Sequence, residues 1–249
     1  MMIQVNITAA SDVGCVRHNN EDMILVGDQF IRNDKYSTSI ALAKKDRYMI
    51  ALADGMGGHN SGEVASQDVL HNLQFFFSDL PLGLKMGDFN EAIFEWLESI
   101  NNIIDSKGHS EPRYHNMGTT LVALAYYEDE FYWMNCGDSR LYRYHEGRLS
   151  QVTTDHSLNS LMGTTEHSSI ITNCIGGGCK SSYIDMVCCT EDIQHGDIFL
   201  LCSDGLSDMV SDHHIEQLLA SGKTASDLCD AAIKAGGNDN VSVCLAQIV

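Results

Sequence analysis

Positive charge is scarce in this chain. Fifteen Lys and Arg stand against 34 Asp and Glu, a formal charge of −19. Phosphate backbones and anionic membrane surfaces are bound through Lys and Arg, so neither nucleic acid nor membrane is an expected partner. Proline is scarcer, at two residues in 249. No Pro/Gly/Ser-rich linker, internal repeat or composition break divides the chain, so residues 1–249 are expected to form a single domain. No apolar run approaches the ~18 residues of a membrane-crossing helix. The N-terminus, Met1 to Thr8, lacks the basic segment of a signal peptide. No Cys-x-x-Cys pair occurs among the nine cysteines, at 15, 136, 174, 179, 188, 189, 202, 229 and 244. An odd count, with several members inside apolar runs, points to reduced, mostly buried thiols in a cytoplasmic protein. The spacing argues against a zinc site at Cys174 and Cys179. Cys188 and Cys189 read as strand interior, not as a redox pair.

Apolar residues make up 44% of the chain, enough to bury a sizeable core. Alternating Ile3, Val5 and Ile7 predict a strand, and residues 23–26 and 49–53 predict two more. Residues 28–46 read as a polar loop or ragged hairpin. A helix is expected from about Asn60, with Asn60 and Glu63 as a capping box and Ala65, Val69, Leu73, Phe76 and Leu80 on one face. Pro81-Leu82-Gly83 ends it. Asp88 with Glu91 opens a second helix, with Phe89, Ile93, Trp96, Ile100 and Ile103 as its apolar stripe, and residues 105–117 read as a loop. Extended periodicity over 120–126, 131–136 and 140–145, with turns at Glu128-Asp129 and Glu146-Gly147, predicts a meander. Strands at 184–189, 198–202 and 241–248, and short helices near 212–220 and 225–235, complete the reading. Helices come in pairs between groups of strands, unlike a doubly wound parallel sheet. The expected fold class is α+β, antiparallel sheets covered by helices.

The acidic residues are not scattered. The apolar run Met49–Ala53 ends in Asp54-Gly55, and Ile198–Ser203 ends in Asp204-Gly205. Asn238-Asp239-Asn240 directly precedes the last apolar run. Carboxylates at the ends of separate strands are how a fold gathers hard oxygen ligands around Mg²⁺ or Mn²⁺. Glycine after the first two of these aspartates allows close approach of the backbone. Any one of these motifs alone is usually only a turn. Their recurrence carries the inference. A net-acidic protein that handles a phosphorylated substrate also needs a local positive centre, which a metal cluster with one arginine supplies.

Four segments, Ser11 to Asp22, Asp54 to Ser66, Cys202 to Asp208 and Gly236 to Asn240, occur in order, with Gly118-Thr119-Thr120, Cys136 to Arg140 and Thr154 to Ser157 between them. In this arrangement the chain resembles the metal-dependent serine/threonine protein phosphatases of type 2C, the PPM family, in its bacterial form. The resemblance implies a four-layer αββα sandwich of two antiparallel sheets flanked by helix pairs. It implies hydrolysis of phosphoserine and phosphothreonine by a two-metal mechanism with a metal-activated water. Asp54 matches the aspartate that bridges two Mn²⁺ or Mg²⁺ ions, and Gly55 the residue lending its carbonyl. Asp204 and Asp239 match carboxylates holding one of these ions, and Glu21 an acidic residue orienting waters on the other. Asp138 matches the residue that binds a third ion together with the position of Asp204, and Arg17 the phosphate clamp. Asp22 and Asp208 are expected behind the ligands, either touching the metal network through water or bracing neighbours.

The implied partners are phosphorylated proteins, a cognate Ser/Thr kinase or its targets, and the implied state is a monomer. Arg140 reads as an ion-pair partner, His59 as an exposed loop residue, and His156 as a turn stabiliser. Met56 stands where some members carry a histidine proposed as the leaving-group acid. The flap stretch between His156 and Ile175 is shorter than usual, and Thr172-Asn173 stands where many members have Thr-Arg. The sequence also admits two rival readings: another metal-dependent phosphohydrolase or nuclease, and a catalytically weak regulatory module with the same fold. The absent basic groove argues against the nuclease, and the retained core ligand positions argue against the module.

Overall fold

Residues 2–57, 61–163, 170–179 and 181–249 are described in a computed structural model of the chain. In chain order the elements are β1 (Ile3–Asp12), β2 (Met23–Val26), β3 (Gln29–Ile31), β4 (Lys35–Leu42), β5 (Arg47–Ala53), β6 (Gly55–Met56), α1 (Ser61–Asp79) and α2 (Met86–Ser110). They continue with β7 (Gly118–Thr119), β8 (Leu121–Tyr127), β9 (Glu130–Cys136), β10 (Arg140–His145), β11 (Arg148–Gln151), α3 (Leu158–Met162), β12 (Ile175–Gly176) and β13 (Asp185–Cys188). Last come β14 (Ile198–Cys202), α4 (Asp204–Ser207), α5 (Asp212–Ala220), α6 (Ala225–Lys234) and β15 (Val241–Ile248). One six-stranded sheet runs β11-β10-β14-β15-β1-β4, the other β13-β9-β8-β5-β2-β3, and a short ladder β12-β7-β6 sits apart. The pairings within all three are antiparallel.

Period-two alternation divides the core into three slabs. In β5, Ile50 and Leu52 face the other sheet, while Met49, Ala51 and Ala53 face α1 and α2. Likewise Val122 and Leu124 of β8 point between the sheets, and Leu121, Ala123 and Ala125 point to the helices. In β14, Leu201 faces inward and Leu200 and Cys202 pack with Ile215, Leu219, Leu228 and Ala232 of α5 and α6. With both faces covered, β8 is buried along its whole length, which is why it reads as a nearly unbroken apolar run. The result is four layers: helices, sheet, sheet, helices.

Several expectations need correction. The stretch 28–46 holds β3 and β4, and β4 pairs with β1 along eight residues at a sheet edge. Alternating exposed and half-buried residues hid it. The meander breaks after β9, because β10 joins β14 in the opposite sheet. Gly137, at φ +124, makes that departure, and a Cβ there would meet Thr120 Cβ at 2.7 Å. The buried positions of α1 and α2 are Phe77, not Phe76, and Ile104, not Ile103, which is 49% exposed. Both follow the i+4 step from Leu73 and Ile100. α2 runs to Ser110, past the expected stop at 105, held there by Lys107 Nζ on Asp68 of α1 at 2.6 Å. Its N-cap is Lys85, with Asp88 inside the first turn. The Asn60 capping box and His59 lie outside the described residues.

Candidate metal centre

Four strand ends meet at one edge of the sandwich. Asp54 follows β5, Asp204 follows β14, Asp239 precedes β15, and Glu21 and Asp22 lead into β2. The glycines beside the aspartates explain how tightly the ends approach. A Cβ on Gly205 would lie 1.9 Å from Asn240 O, and one on Gly55 would lie 2.1 Å from Gly62 O. These close contacts are with the chain's own backbone. Each Asp-Gly thus docks its strand end against a partner segment and sets the aspartate at the seam.

Polar side chains complete the docking. Asn240 Nδ2 donates to Val13 O (3.0 Å) and Asn19 O (2.9 Å), and its Oδ1 accepts from Glu21 N at 2.8 Å. One side chain therefore fixes the loop carrying Arg17 and Glu21 next to Asp239. Thr120 Oγ1 accepts from Asp54 N at 3.0 Å and shares a 2.7 Å hydrogen bond with Ser139 Oγ, tying the Asp54 turn to the Asp138 loop. Thr119 Oγ1 and Thr120 N both donate to Asp54 O. Ser203 Oγ donates to Asp22 Oδ2 at 2.8 Å and accepts from Ser242 N at 3.0 Å. Arg32, largely buried, donates through Nε to Asp22 O (2.8 Å), and through its other nitrogens to Glu63 and Ser66 at the start of α1. Sequence reasoning assigns none of these supports. Thr120, Ser203 and Asn240 lie inside the recurring motifs, but Arg32 sits in the stretch that reads as loop and has no local signal.

The carboxylates lie near enough for their charges to act on one another. Burial lifts Asp54 well above the ordinary carboxylate range, and the charges of Asp22, Asp204, Asp138 and Asp239 lift it further. Asp204 is pushed up to about 8 by burial and then by Asp138, Asp239, Asp208 and Asp22. Asp138 is pushed up to about 6, chiefly by burial, with Asp155 and Asp208 adding. Asp22, fully buried, is pushed up to about 6 by burial, and among the described residues no group donates to its Oδ1. Burial also raises Glu21, against the charge of Arg17. Arg17 Nη2 bonds Asp239 Oδ2 at 2.6 Å, and that hydrogen bond and charge raise the arginine, with Glu21 and Asp54 adding. All nine expected positions, Gly55 included, therefore surround one edge. Asp208 is exposed there and sits one helical turn past Asp204, with its N–H bonded to Asp204 O at 2.8 Å.

An array of partly buried, mutually repelling oxygens is stable when a cation neutralises it. The set is all oxygen, with neither Cys nor His among it, and suits Mg²⁺ or Mn²⁺. The crowded charges and the Asp22 oxygen without a donor fit such ions. Among the described residues, no three acidic, His or Cys side chains already form a cluster able to hold an ion, and Asp239 is engaged by Arg17.

The other expected residues have partners or places of their own. Arg140 forms a two-pronged pair with Asp155, Nε to Oδ1 at 3.0 Å and Nη2 to Oδ2 at 2.7 Å. His156 is buried, and its Nδ1 accepts from Gly137 N at 3.1 Å while Nε2 meets Asp185 at 3.1 Å. It braces the turn ahead of Asp138. Met56 lies in β6, next to Gly55. Part of the flap, residues 164–169, lies outside the described residues.

The family model for protein phosphatase 2C matches residues 27–240. Serine/threonine protein phosphatase PstP of Mycobacterium tuberculosis is 33% identical over 97% of this chain, which spans only 44% of that protein's length. Serine/threonine phosphatase stp of Listeria innocua is 32% identical over 95% of this chain and 93% of its own length. The crystal structure of the PstP catalytic domain in complex with two manganese ions superposes over the full length of both chains, with a TM-score of 0.76 and 32% identity. Family match, relatives and four-layer architecture agree that this chain belongs to the protein phosphatase 2C family.

Proposed function

We propose that this chain is a metal-dependent protein phosphatase that hydrolyses phosphoserine and phosphothreonine, in a bacterial signalling setting where it opposes a Ser/Thr kinase. The observation that carries the reading is the ring of half-buried carboxylates from four strand ends, backed by the buried Asp22, with Arg17 on its rim. The family membership and the manganese-bound PstP structure support the same chemistry. Asp54, the carbonyl of Gly55, Asp204 and Asp239 would hold two ions, Mn²⁺ or Mg²⁺, with Glu21 acting beside them. Asp138 with Asp204 would take a third. When bound, such ions neutralise phosphate charge and make water acidic enough to attack near neutral pH.

The chain's own groups do the rest. Arg17 is half-exposed and its fork matches phosphate oxygens, so it binds and orients the substrate. Asn240, Thr120, Ser203 and Arg32 hold the ligand-bearing turns in register. Asp22 sits behind them, accepting from Ser203. Met56 has no proton to give a leaving serine or threonine oxygen. Residues 1–249 act as one catalytic unit on phosphorylated proteins, as a monomer in the cytoplasm. Among the described residues no helix is long and apolar enough to cross a membrane.

The test is hydrolysis of a phosphothreonine peptide by the metal-stripped protein with and without added Mn²⁺ or Mg²⁺. Turnover is expected only with metal, and D54A and D239A should lose orders of magnitude of it with unchanged circular dichroism. Activity that survives EDTA, or normal turnover by either variant, would overturn the reading.

A further inference from the structure

Two thiols outside the carboxylate ring are placed to react with each other. Cys174 Sγ and Cys179 Sγ stand 3.1 Å apart, and both are unbonded thiols. That separation exceeds a disulfide bond by only about 1 Å. The segment between them is Ile175-Gly176-Gly177-Gly178, and its three glycines all have φ between +63 and +79. This chain of left-handed glycines curls the segment so that its two ends meet. The shortness of the loop also keeps the entropic cost of closing it small. Cys174 is buried, whereas Cys179 is partly exposed.

The loop is not isolated. β12, inside it, pairs with β7, and β7 pairs with β6, which contains Gly55. Gly176 N donates to Asn101 Oδ1 (2.8 Å), and Gly177 N to Met117 O (2.7 Å). Asn101 Nδ2 donates in turn to Cys179 O at 3.2 Å. A covalent bond at the loop's neck would therefore tighten a ladder that ends at the Asp54-Gly55 turn.

We propose that Cys174 and Cys179 are a modification site, forming a reversible disulfide with a peroxide as oxidant. The partly exposed Cys179 sulfur attacks the peroxide O–O bond, giving Cys179 sulfenic acid and one water from hydrogen peroxide. Cys174 sulfur then attacks the sulfenic sulfur, the S–S bond forms, and hydroxide leaves with the thiol proton as a second water. Two thiols lose two electrons, and the peroxide oxygen gains them. A dithiol reductant reverses the bond by exchange. The third nearby cysteine, Cys136, is fully buried, and its sulfur accepts from Asn173 Nδ2 at 3.4 Å. It takes no part in the bridge.

The experiment treats the whole reduced chain with hydrogen peroxide, then denatures, alkylates and measures mass. Peptide mapping should find a Cys174–Cys179 cross-link, absent after dithiothreitol and still formed in C136S. In C174S the reaction should stop at Cys179 sulfenic acid, trapped by dimedone. Amide hydrogen exchange at residues 175–177 should slow at least several-fold on oxidation. Full alkylation of both thiols after peroxide, or a cross-link through Cys136, would overturn the site. Unchanged exchange with the cross-link present would overturn the bracing of the ladder. None of these readouts depends on phosphatase activity, so the site and the proposed function stand or fall separately.

Discussion

Arg17 carries the clearest residue-scale prediction. Its guanidinium bonds Asp239 at 2.6 Å, on a rim where both side chains are partly exposed. A phosphate would compete for the same fork. In the proposed role, removing the arginine removes binding shared by ground and transition states, and leaves the carboxylates with less compensating charge. R17A should raise KM for a phosphopeptide and lose about 2–4 kcal/mol in kcat/KM. An unchanged KM would remove Arg17 from the substrate site. The acidic members of the ring are legible in the sequence because each lies beside a strand-like run or inside a recognisable motif. Arg32 and the role of Asn240 are not, because their hydrogen bonds join residues 10 to 227 positions apart.

At the scale of elements, the Asp-Gly junctions are steric devices. Gly205 has no room for a Cβ, which would sit 1.9 Å from the carbonyl of Asn240. G205A should therefore separate the ends of β14 and β15 and destabilise the protein by about 1–3 kcal/mol or more. It should also weaken metal binding, because Asp204 and Asp239 flank that contact. Gly87 is the control: it lies in α2, and a Cβ added there would meet nothing within 4 Å. G87A should be neutral or stabilise by up to about 1 kcal/mol. Urea melts of the two variants test the contrast, and equal midpoints would refute the steric account. The differences between sequence pattern and observed elements share one cause. Periodicity reports which face is apolar, but not which strand lies alongside, so β10 looks like a continuation of the meander although Gly137 sends it across to the opposite sheet.

Across the whole molecule the charge has two consequences. The first concerns stability of the metal-free protein. Asp204, pushed up to about 8, and Asp22 and Asp138, pushed up to about 6, bind protons more tightly when folded than when unfolded. Below an unfolded carboxylate pKa of ~4 they are neutral in both states and cost nothing. As pH rises from there, folding must hold the protons or bury the charge, so stability falls until about pH 8. The melting temperature in EDTA should therefore drop between pH 5 and pH 8, and added Mn²⁺ should recover it most at pH 8. A flat or rising curve in EDTA would contradict the crowding. The second concerns selectivity. A net charge of −19 repels acidic peptides over roughly 8–10 Å at physiological salt. Phosphothreonine peptides flanked by Lys or Arg should show higher kcat/KM than acidic ones, and high salt should erase the difference. A preference that ignores salt would assign selection to shape.

The sequence by itself determined the class of fold and the placing of acidic residues at the ends of apolar runs. Those properties reside in local pattern: apolar runs in β5 and β14, paired helices, and Asp-Gly at strand ends. Only the tertiary structure decided which strand ends meet, which glycines are required for contact, and which polar side chains hold the ring together. It also decided that Cys174 and Cys179, five positions apart with no motif to mark them, turn their sulfurs toward each other. The physical reason is the same in each case. A residue's chemistry is written at its own position, but a contact depends on where the backbone carries two positions at once, and that follows from packing the layers together.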